Sequence, residues 1–278
     1  MTRILVADDD RTTRLLLSET LRAQKFSTVC VADGAAALKK MNDGKFDLVL
    51  LDIWMPKMNG LEVLKKIRNT KNRPKVIVMT SDDAPETLLS AIREEAYQYV
   101  SKPVEPRALI SLVRETLEKK ADVAPIEVVS ATPTWVELLV SCSLADAERI
   151  ENFMAHLKTG LSEEVQRAVG QAFHELLLNA VEWGGKLDAS RKVRISYLRA
   201  KRMLMYRIAD PGPGFKFSEL EHAAISYAPD SPTDHDEFRQ KKGLRPGGFG
   251  LLMTKASVDE MLYNEAQNEV VFVKYLDE

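Results

Sequence analysis

Asp8, Asp9, Asp52, Thr80 and Lys102 carry the groups that phosphoryl chemistry needs if the fold gathers them. Three carboxylates at close quarters repel one another unless a cation sits among them, and oxygen donors of this hardness suit Mg²⁺. A hydroxyl and an ammonium facing that cation would bind an anion. The set then reads as a carboxylate nucleophile, Asp52, attacking a phosphoryl group while the metal and Lys102 neutralise charge on its oxygens. Taken singly, each acid is more often a helix N-cap or a turn residue. What joins them is order: DD, D-x-x-x-P, T-S and K-P each follow or close a β-type run.

A second group lies in the other half of the chain. Ser162 is placed to cap a helix, with Glu163 and Glu164 in its first turn, and apolar residues recur from Val165 through Ala168, Val169, Ala172, Phe173, Leu176, Leu177 and Ala180. At about 100° per residue, Asn179 falls inside that apolar stripe and Glu175 on its margin, one turn apart. A buried amide needs partners, and neighbouring backbone alone could supply them. Further on, DPGPGF follows a strand: Asp210 starts a tight turn whose Gly212 and Gly214 would let backbone approach a flat ligand. Gly247, Gly248 and Gly250 precede an apolar helical pattern, an arrangement that exposes N–H groups to a phosphate chain. Between these lies a long polar stretch, Lys216 to Arg245, of the kind that forms a lid or stays disordered.

The elements that must position the first group alternate strictly. ILVA, TVCV, LVLLD, VIVM and YQYV read as strands, and helical patterns over Leu15–Gln24, Ala35–Met41, Leu61–Ile67, Thr87–Glu94 and Leu109–Lys119 follow them in turn. Short loops and right-handed crossovers then imply a doubly wound, five-stranded parallel sheet with helices on both faces. DLVLLD is apolar enough to be an inner strand, so Asp52 emerges at the carboxyl edge where such sheets put their chemistry. Pro56 and Gly60 punctuate the loop that follows. In the second half, Val136–Ser143, Val193–Leu198, Met203–Ile208 and Glu269–Leu276 read as strands, with a helix over Asp146–Leu157 before the one capped by Ser162.

Composition agrees with two globular domains. The chain has 278 residues, 45% hydrophobic and 29% charged. Lys and Arg number 39 against 41 for Asp and Glu, so no overall field draws nucleic acid or an anionic membrane. Cys30 and Cys142 lack metal-ligand or redox-motif spacing and read as core residues in a reducing compartment. No stretch approaches the roughly 18 apolar residues of a membrane span, and the expected location is the cytoplasm. Lysines at a helix end, then small residues and Pro125, mark a linker; the expected division is 1–120, a linker over 121–127, and 128–278.

Over residues 1–120 these motifs resemble the receiver domain of two-component response regulators, a flavodoxin-like fold. The resemblance implies that Asp52 is the phosphoacceptor, that Asp8, Asp9 and Asp52 hold Mg²⁺ with the Trp54 backbone carbonyl, and that Thr80 and Lys102 contact the phosphoryl group. It makes Tyr99 the aromatic switch residue, although a strand aromatic packed on a helix reads equally well. It makes Lys102–Pro103 a cis peptide and an upstream sensor histidine kinase the partner. A homodimer through the last helix stays open, since its apolar residues over Leu109–Leu117 read equally as core. Trp54 is bulky for its position and would govern access and phosphoryl lifetime.

From E-x-x-x-N-A through D-x-G-x-G to G-G-x-G-L, the second half is similar to the ATPase fold of histidine kinases, DNA gyrase, the Hsp90 chaperones and the anti-sigma-factor serine kinases. That resemblance implies a Bergerat-type α/β sandwich with a mixed sheet, ATP as ligand, Asn179 on Mg²⁺, and Asp210 on the adenine amino group. Gly212 and Gly214 would shape the base pocket, and Gly247, Gly248 and Gly250 would line the phosphates, with Arg245 either meeting a phosphate oxygen or remaining solvated. No His-acid phosphoacceptor precedes the domain, and a strand and a helix before the asparagine motif are similar to the anti-sigma serine kinases. There Glu175 would be the general base toward a substrate serine. Where that family often has a histidine shortly afterwards, this chain has Glu182-Trp183-Gly184-Gly185. The expected function is a response regulator whose Asp52 controls a serine kinase or anti-sigma-like output domain acting on a STAS-type antagonist or a sigma factor. The alternatives are an ATP-binding module that sequesters its partner, and a histidine kinase acting in trans.

Overall fold

The computed structural model describes residues 2–70, 73–81, 85–118, 125–132, 134–157, 160–215 and 250–276. The chain divides into two compact units, Met1–Pro125 and Ile126–Glu278. Among the described residues no helix is long and apolar enough to cross a membrane.

The first unit alternates β1 (Arg3–Ala7), α1 (Arg11–Ala23), β2 (Ser27–Val31), α2 (Gly34–Asp43), β3 (Leu48–Asp52), α3 (Gly60–Ile67), β4 (Lys75–Thr80), α4 (Pro85–Arg93), β5 (Gln98–Ser101) and α5 (Pro106–Glu118). Its strands pair in parallel in the order β2-β1-β3-β4-β5. This is the doubly wound order the strand runs predict, because strands as apolar as β3 need cover on both faces. Ile4, Val6, Leu48, Leu50, Ile77 and Met79 pack with Leu17 and Leu21 of α1 and Leu109 and Val113 of α5. The alternate residues Leu5, Val49, Leu51 and Val78 are equally buried on the opposite face. Leu109 and Val113 are therefore core, and Ile110, Leu112 and Leu117 pack against that core in part.

Caps set where the helices begin. Asp10 accepts from Thr13 N–H at 2.7 Å and starts α1, Asp33 accepts from Ala36 N–H at 2.7 Å and starts α2, and Asn59 and Glu62 form a reciprocal capping box on α3. The acid run at positions 8–10 is thereby sorted by role: its third member is a cap, leaving Asp8 and Asp9 for other work.

The second unit runs β6 (Glu127–Ala131), β7 (Trp135–Ser141), α6 (Leu144–His156), α7 (Glu163–Asn179), β8 (Lys192–Ala200) and β9 (Met203–Ala209), then α8 (Gly250–Ser257), β10 (Glu260–Tyr263) and β11 (Glu269–Tyr275). Among the described residues its six strands lie in the order β10-β11-β9-β8-β7-β6, and every pair is antiparallel. The expectation of a mixed sheet is corrected here. The two helices read from the sequence carry the chain from β7 to β8 and return it reversed, and β6–β7, β8–β9 and β10–β11 are antiparallel sequence neighbours.

One face of this sheet is covered by helices. Tyr206 sits at the centre, stacked on Phe272 with centroids 4.9 Å apart and flanked by Tyr197 at 5.0 Å and Phe173 of α7 at 5.4 Å. On the other face charged side chains pair across strands, Arg207 with Glu269 in a bidentate contact at 2.6 and 2.7 Å, Arg194 with Glu137, and Lys192 with Glu127. The segment before β7, where a histidine kinase would need a helical hairpin, is occupied by β6.

Candidate functional site

In the first unit the chain leaves β1 and β3 toward opposite faces of the sheet, and the crevice at their carboxyl ends is where such folds bind ligands. Asp8 follows β1 and is fully buried; Asp52 ends β3 and is 4% exposed. With the more exposed Asp9 they offer carboxylate oxygens within 4.8 Å of one another. Lys102, beyond β5, reaches into this group: its Nζ lies 2.7 Å from Asp8 Oδ2 and 3.0 Å from Asp52 Oδ2.

Backbone contacts hold the acids from behind. Asp8 Oδ1 accepts from Asp10 N–H at 2.9 Å, and Arg14 Nη1 donates to the carbonyls of Asp8 and Asp9 at 2.7 and 2.8 Å. Asp52 pairs in register with Met79, so Thr80, buried at the end of β4, stands one residue beyond it. Lys102 N–H donates to the Thr80 carbonyl at 2.8 Å, which ties the hydroxyl-bearing strand end to the ammonium-bearing loop. The Lys102–Pro103 peptide is cis. Tyr99 is buried on β5, and Trp54 is 55% exposed.

The loop after Asp52 is fastened at both ends. Lys57 Nζ meets Asp33 at 2.6 Å, and Gly34 N–H donates to the Met58 carbonyl at 3.2 Å. Gly60 packs so closely that a Cβ there would lie 2.3 Å from the Asp52 carbonyl oxygen.

Burial raises the Asp52 carboxyl above its ordinary range, Lys102 pulls it back, and Asp8 pushes it up again. For Lys102 burial works the other way, but its bonds to Asp8 and Asp52 outweigh burial and hold the ammonium above its usual value. Among the described residues, the carboxylates of Asp8, Asp9 and Asp52 against the Lys102 ammonium leave a formal excess of two negative charges, which a divalent cation would cancel. At metal–oxygen distances of about 2.1 Å two ligands of one ion sit no more than about 4.2 Å apart, close to the spacing found, so the donor set fits Mg²⁺.

In the second unit α7 delivers Glu175 and Asn179, both half-buried. The helix does not stop at Asn179; it widens into a π turn over Ala180–Gly184, closed by Gly185 N–H donating to the Ala180 carbonyl at 2.8 Å. That turn brings Gly184 against Asp210, where a Cβ would lie 2.2 Å from Asp210 Oδ1. Gly185 in turn faces Cys142, whose Sγ would be 2.3 Å from a Cβ. The Glu-Trp-Gly-Gly segment, expected only as a departure from the anti-sigma kinases, thus joins the asparagine helix to the aspartate turn.

Asp210 ends β9. Its Oδ1 accepts from Gly212 N–H at 2.7 Å, and Gly214 adopts φ +87°. Burial raises its carboxyl, while Gly212 N–H and then Arg191 hold it down. Gly250 opens α8, which packs on α7, and a Cβ at Gly250 would lie 2.1 Å from Glu175 Oε2. The Glu175 carboxylate therefore lies against the first turn of α8. Arg245, Gly247, Gly248 and the stretch from Lys216 to Arg245 lie outside the described residues. Sequence reasoning missed Gly184, Gly185 and Asn268, described below; the Gly-Gly doublet after a helix was a readable stop signal.

Comparison with known proteins agrees with this arrangement. Residues 4–114 match the response regulator receiver domain, and residues 142–274 match the histidine kinase-like ATPase domain. The DNA-binding response regulator MtrA of Mycobacterium tuberculosis (strain H37Rv) is 30% identical over 202 residues, covering 72% of this chain and 87% of MtrA. The regulatory protein AtoC of Escherichia coli is 39% identical over 116 residues, 42% of this chain and 25% of AtoC. Among solved structures, the chemotaxis protein CheY4 of Vibrio cholerae is 28% identical, covering 42% of this chain and 99% of CheY4 at a TM-score of 0.41. With an acid crevice at the end of β3 in the first unit and an asparagine helix joined to an aspartate turn in the second, the chain belongs to the response regulator family, carrying a receiver domain followed by a histidine kinase-like ATPase domain.

Proposed function

We propose that this cytoplasmic response regulator takes a phosphoryl group onto Asp52 from a sensor histidine kinase, and that the phosphorylated receiver controls an ATP-binding output domain that phosphorylates a serine of a STAS-type antagonist protein. The observation that carries the receiver half is the Lys102 ammonium lying between Asp8 and Asp52. An Asp52 oxygen attacks phosphorus, the bond from phosphorus to the donor breaks, and the leaving group departs with the electron pair. Lys102 turns from the carboxylates toward the new phosphoryl oxygens, and Thr80 donates to one of them. Mg²⁺ held by Asp8, Asp9, Asp52 and the Trp54 carbonyl would offset the remaining negative charge. Tyr99 follows Thr80 inward as the switch, and Trp54, exposed beside the acceptor, shields the acyl phosphate from water.

In the output domain Asn179 would hold the magnesium of the nucleotide, Asp210 the adenine amino group, and Glu175 the proton of the partner's serine hydroxyl. DNA binding, recorded in the name of MtrA, is not carried over, since residues 142–274 match an ATPase domain. One observation favours a second reading, in which the domain holds ATP and sequesters its partner without transfer. The Glu175 carboxylate lies against Gly250 at the opening of α8, so it must swing away before it can act as a base.

Labelled ATP and Mg²⁺, supplied with and without acetyl phosphate and a STAS-domain partner, separate these readings. Serine kinase activity leaves acid-stable label on the partner, responsive to acetyl phosphate. Acid-labile label points to a histidine or aspartate instead, and ATP binding without transfer establishes the sequestering module.

A further inference from the structure

The turn between β10 and β11 is built around two asparagines. Asn264 Oδ1 accepts from the backbone N–H groups of Asn268 and Glu269 at 3.1 and 3.2 Å, and Asn264 Nδ2 donates to Asn268 Oδ1 at 2.8 Å. Asn268 then reaches out of its own turn. Its Nδ2 donates to the Gly212 carbonyl at 3.0 Å, and its backbone carbonyl accepts from Asp210 N–H at 2.8 Å. It grips the glycine turn on both sides of Pro211, from 56 residues away in the chain. The neighbouring contacts follow the same pattern. A Cβ at Gly214 would lie 1.6 Å from the Ala266 carbonyl oxygen, and Phe215 meets Tyr263 of β10 edge to face with centroids 5.6 Å apart.

We propose that Asn268 is a positioning residue for recognition of the nucleotide base. By holding the Gly212 carbonyl with its side-chain amide and the Asp210 N–H with its backbone carbonyl, it brackets the turn on both sides and so restrains the intervening Pro211–Gly212 peptide, whose N–H orients the Asp210 carboxylate. The inference rests on the reading that Asp210 meets the adenine amino group. It adds that selectivity for that group is set by the β10–β11 hairpin and not by the glycine turn alone.

An amide is the group the position requires. It donates to one carbonyl while accepting from Asn264, two roles that a carboxylate, which only accepts, cannot fill together. Asn268→Asp keeps the size and the acceptor but loses the donor and sets a negative charge beside the Gly212 carbonyl. The Gly212 N–H is then released from its direction toward Asp210 Oδ1. The groups that face Asp210 are Arg191 from the loop before β8, Tyr263 of β10 and Cys142 after β7. Burial pushes the hydroxyl of Tyr263 and the thiol of Cys142 up, so both stay neutral at neutral and acid pH. Arg191 keeps its charge throughout. Burial already raises the Asp210 carboxyl above 3.8, and the Gly212 N–H is the leading group holding it down. Losing that donor moves the carboxyl further up. Base recognition needs the ionised form, so binding falls as pH drops through this value, and in the variant it falls at a higher pH.

The test measures ATP and ITP binding to full-length wild type, Asn268→Asp and Asn264→Ser between about pH 4 and pH 8. ITP keeps the ribose and phosphates but carries a carbonyl where ATP has its amino group. Wild type prefers ATP; Asn268→Asp loses about tenfold in ATP affinity with ITP little changed, and its acid midpoint moves upward. Asn264→Ser, which removes the amide donor to Asn268 Oδ1 and leaves a shorter acceptor for the turn's N–H groups, shows the same pattern more weakly. ATP and ITP affinities that fall together, at an unchanged ratio and midpoint, would make Asn268 a brace of the fold and overturn the proposal. Unchanged binding in both variants overturns it as well. Folded wild-type protein that binds no ATP, or binds ITP equally, overturns the base-recognition reading itself and this inference with it.

Discussion

Asp52→Asn abolishes phosphoryl uptake from acetyl phosphate, a loss of at least about 100-fold, because an amide oxygen is a far weaker nucleophile than a carboxylate and, among the described residues, neither neighbouring acid is placed to take over. Asp8 is fully buried and bound by Asp10 N–H, and Asp9 is exposed. The substitution is nearly isosteric and removes one of three crowded negative charges, so the receiver keeps its fold and its Tm does not fall. Intact-protein mass spectrometry after acetyl phosphate treatment gives the readout, with a thermal melt beside it. A variant that still gains one phosphoryl group would move the acceptor to another residue and undo the assignment of Asp52.

Gly184→Ala should cost about 100-fold in ATP affinity while leaving acetyl phosphate uptake by the receiver unchanged, a loss of about 2.7 kcal/mol in binding. The added methyl group would lie 2.2 Å from Asp210 Oδ1 and 2.5 Å from Asp210 Cβ. The aspartate cannot step aside cheaply, because its carboxylate is bound to Gly212 N–H and its backbone N–H to the Asn268 carbonyl. Overpacking of this kind also destabilises the output domain by about 1–3 kcal/mol, so binding is measured by titration calorimetry well below the variant's own Tm. ATP affinity equal to wild type would show that Asp210 does not touch the nucleotide.

The receiver could be read from its sequence because each strand is a short apolar run and the helices between them have clean caps. Parallel strands buried on both faces advertise themselves in this way, and the polar residues that follow them collect on one edge by topology alone. The output domain was harder for identifiable reasons. β6 is an edge strand with most of its residues exposed, and β10 has only four residues, so neither shows an alternation long enough to recognise. The π turn was hidden because Ala180 and Val181 continue the apolar period of α7, and only hydrogen bonding shows that the helix has widened. Strand direction in the second sheet follows from the connections, the two helices between β7 and β8 returning the chain antiparallel to the strand it left, and no residue type records it. Asn268 was invisible because its partner is far away in the chain, and an asparagine in a turn is unremarkable until that partner is known.

The chain carries two thiols, and their surroundings make them chemically unequal. Cys142 is wholly enclosed against Gly185, and burial, reinforced by Asp210 and only partly offset by Arg191, pushes its thiol up to about 11. Cys30 is exposed on β2, with its sulfur 3.9 Å from the carbonyl of Arg14, the residue whose guanidinium steadies Asp8 and Asp9. Alkylating reagents follow the thiolate and its accessibility, so native protein at neutral pH titrates as a one-thiol molecule and denatured protein as a two-thiol one. A fluorophore can therefore be attached at a single natural position next to the acid crevice, without engineering, to follow phosphorylation of the receiver in real time.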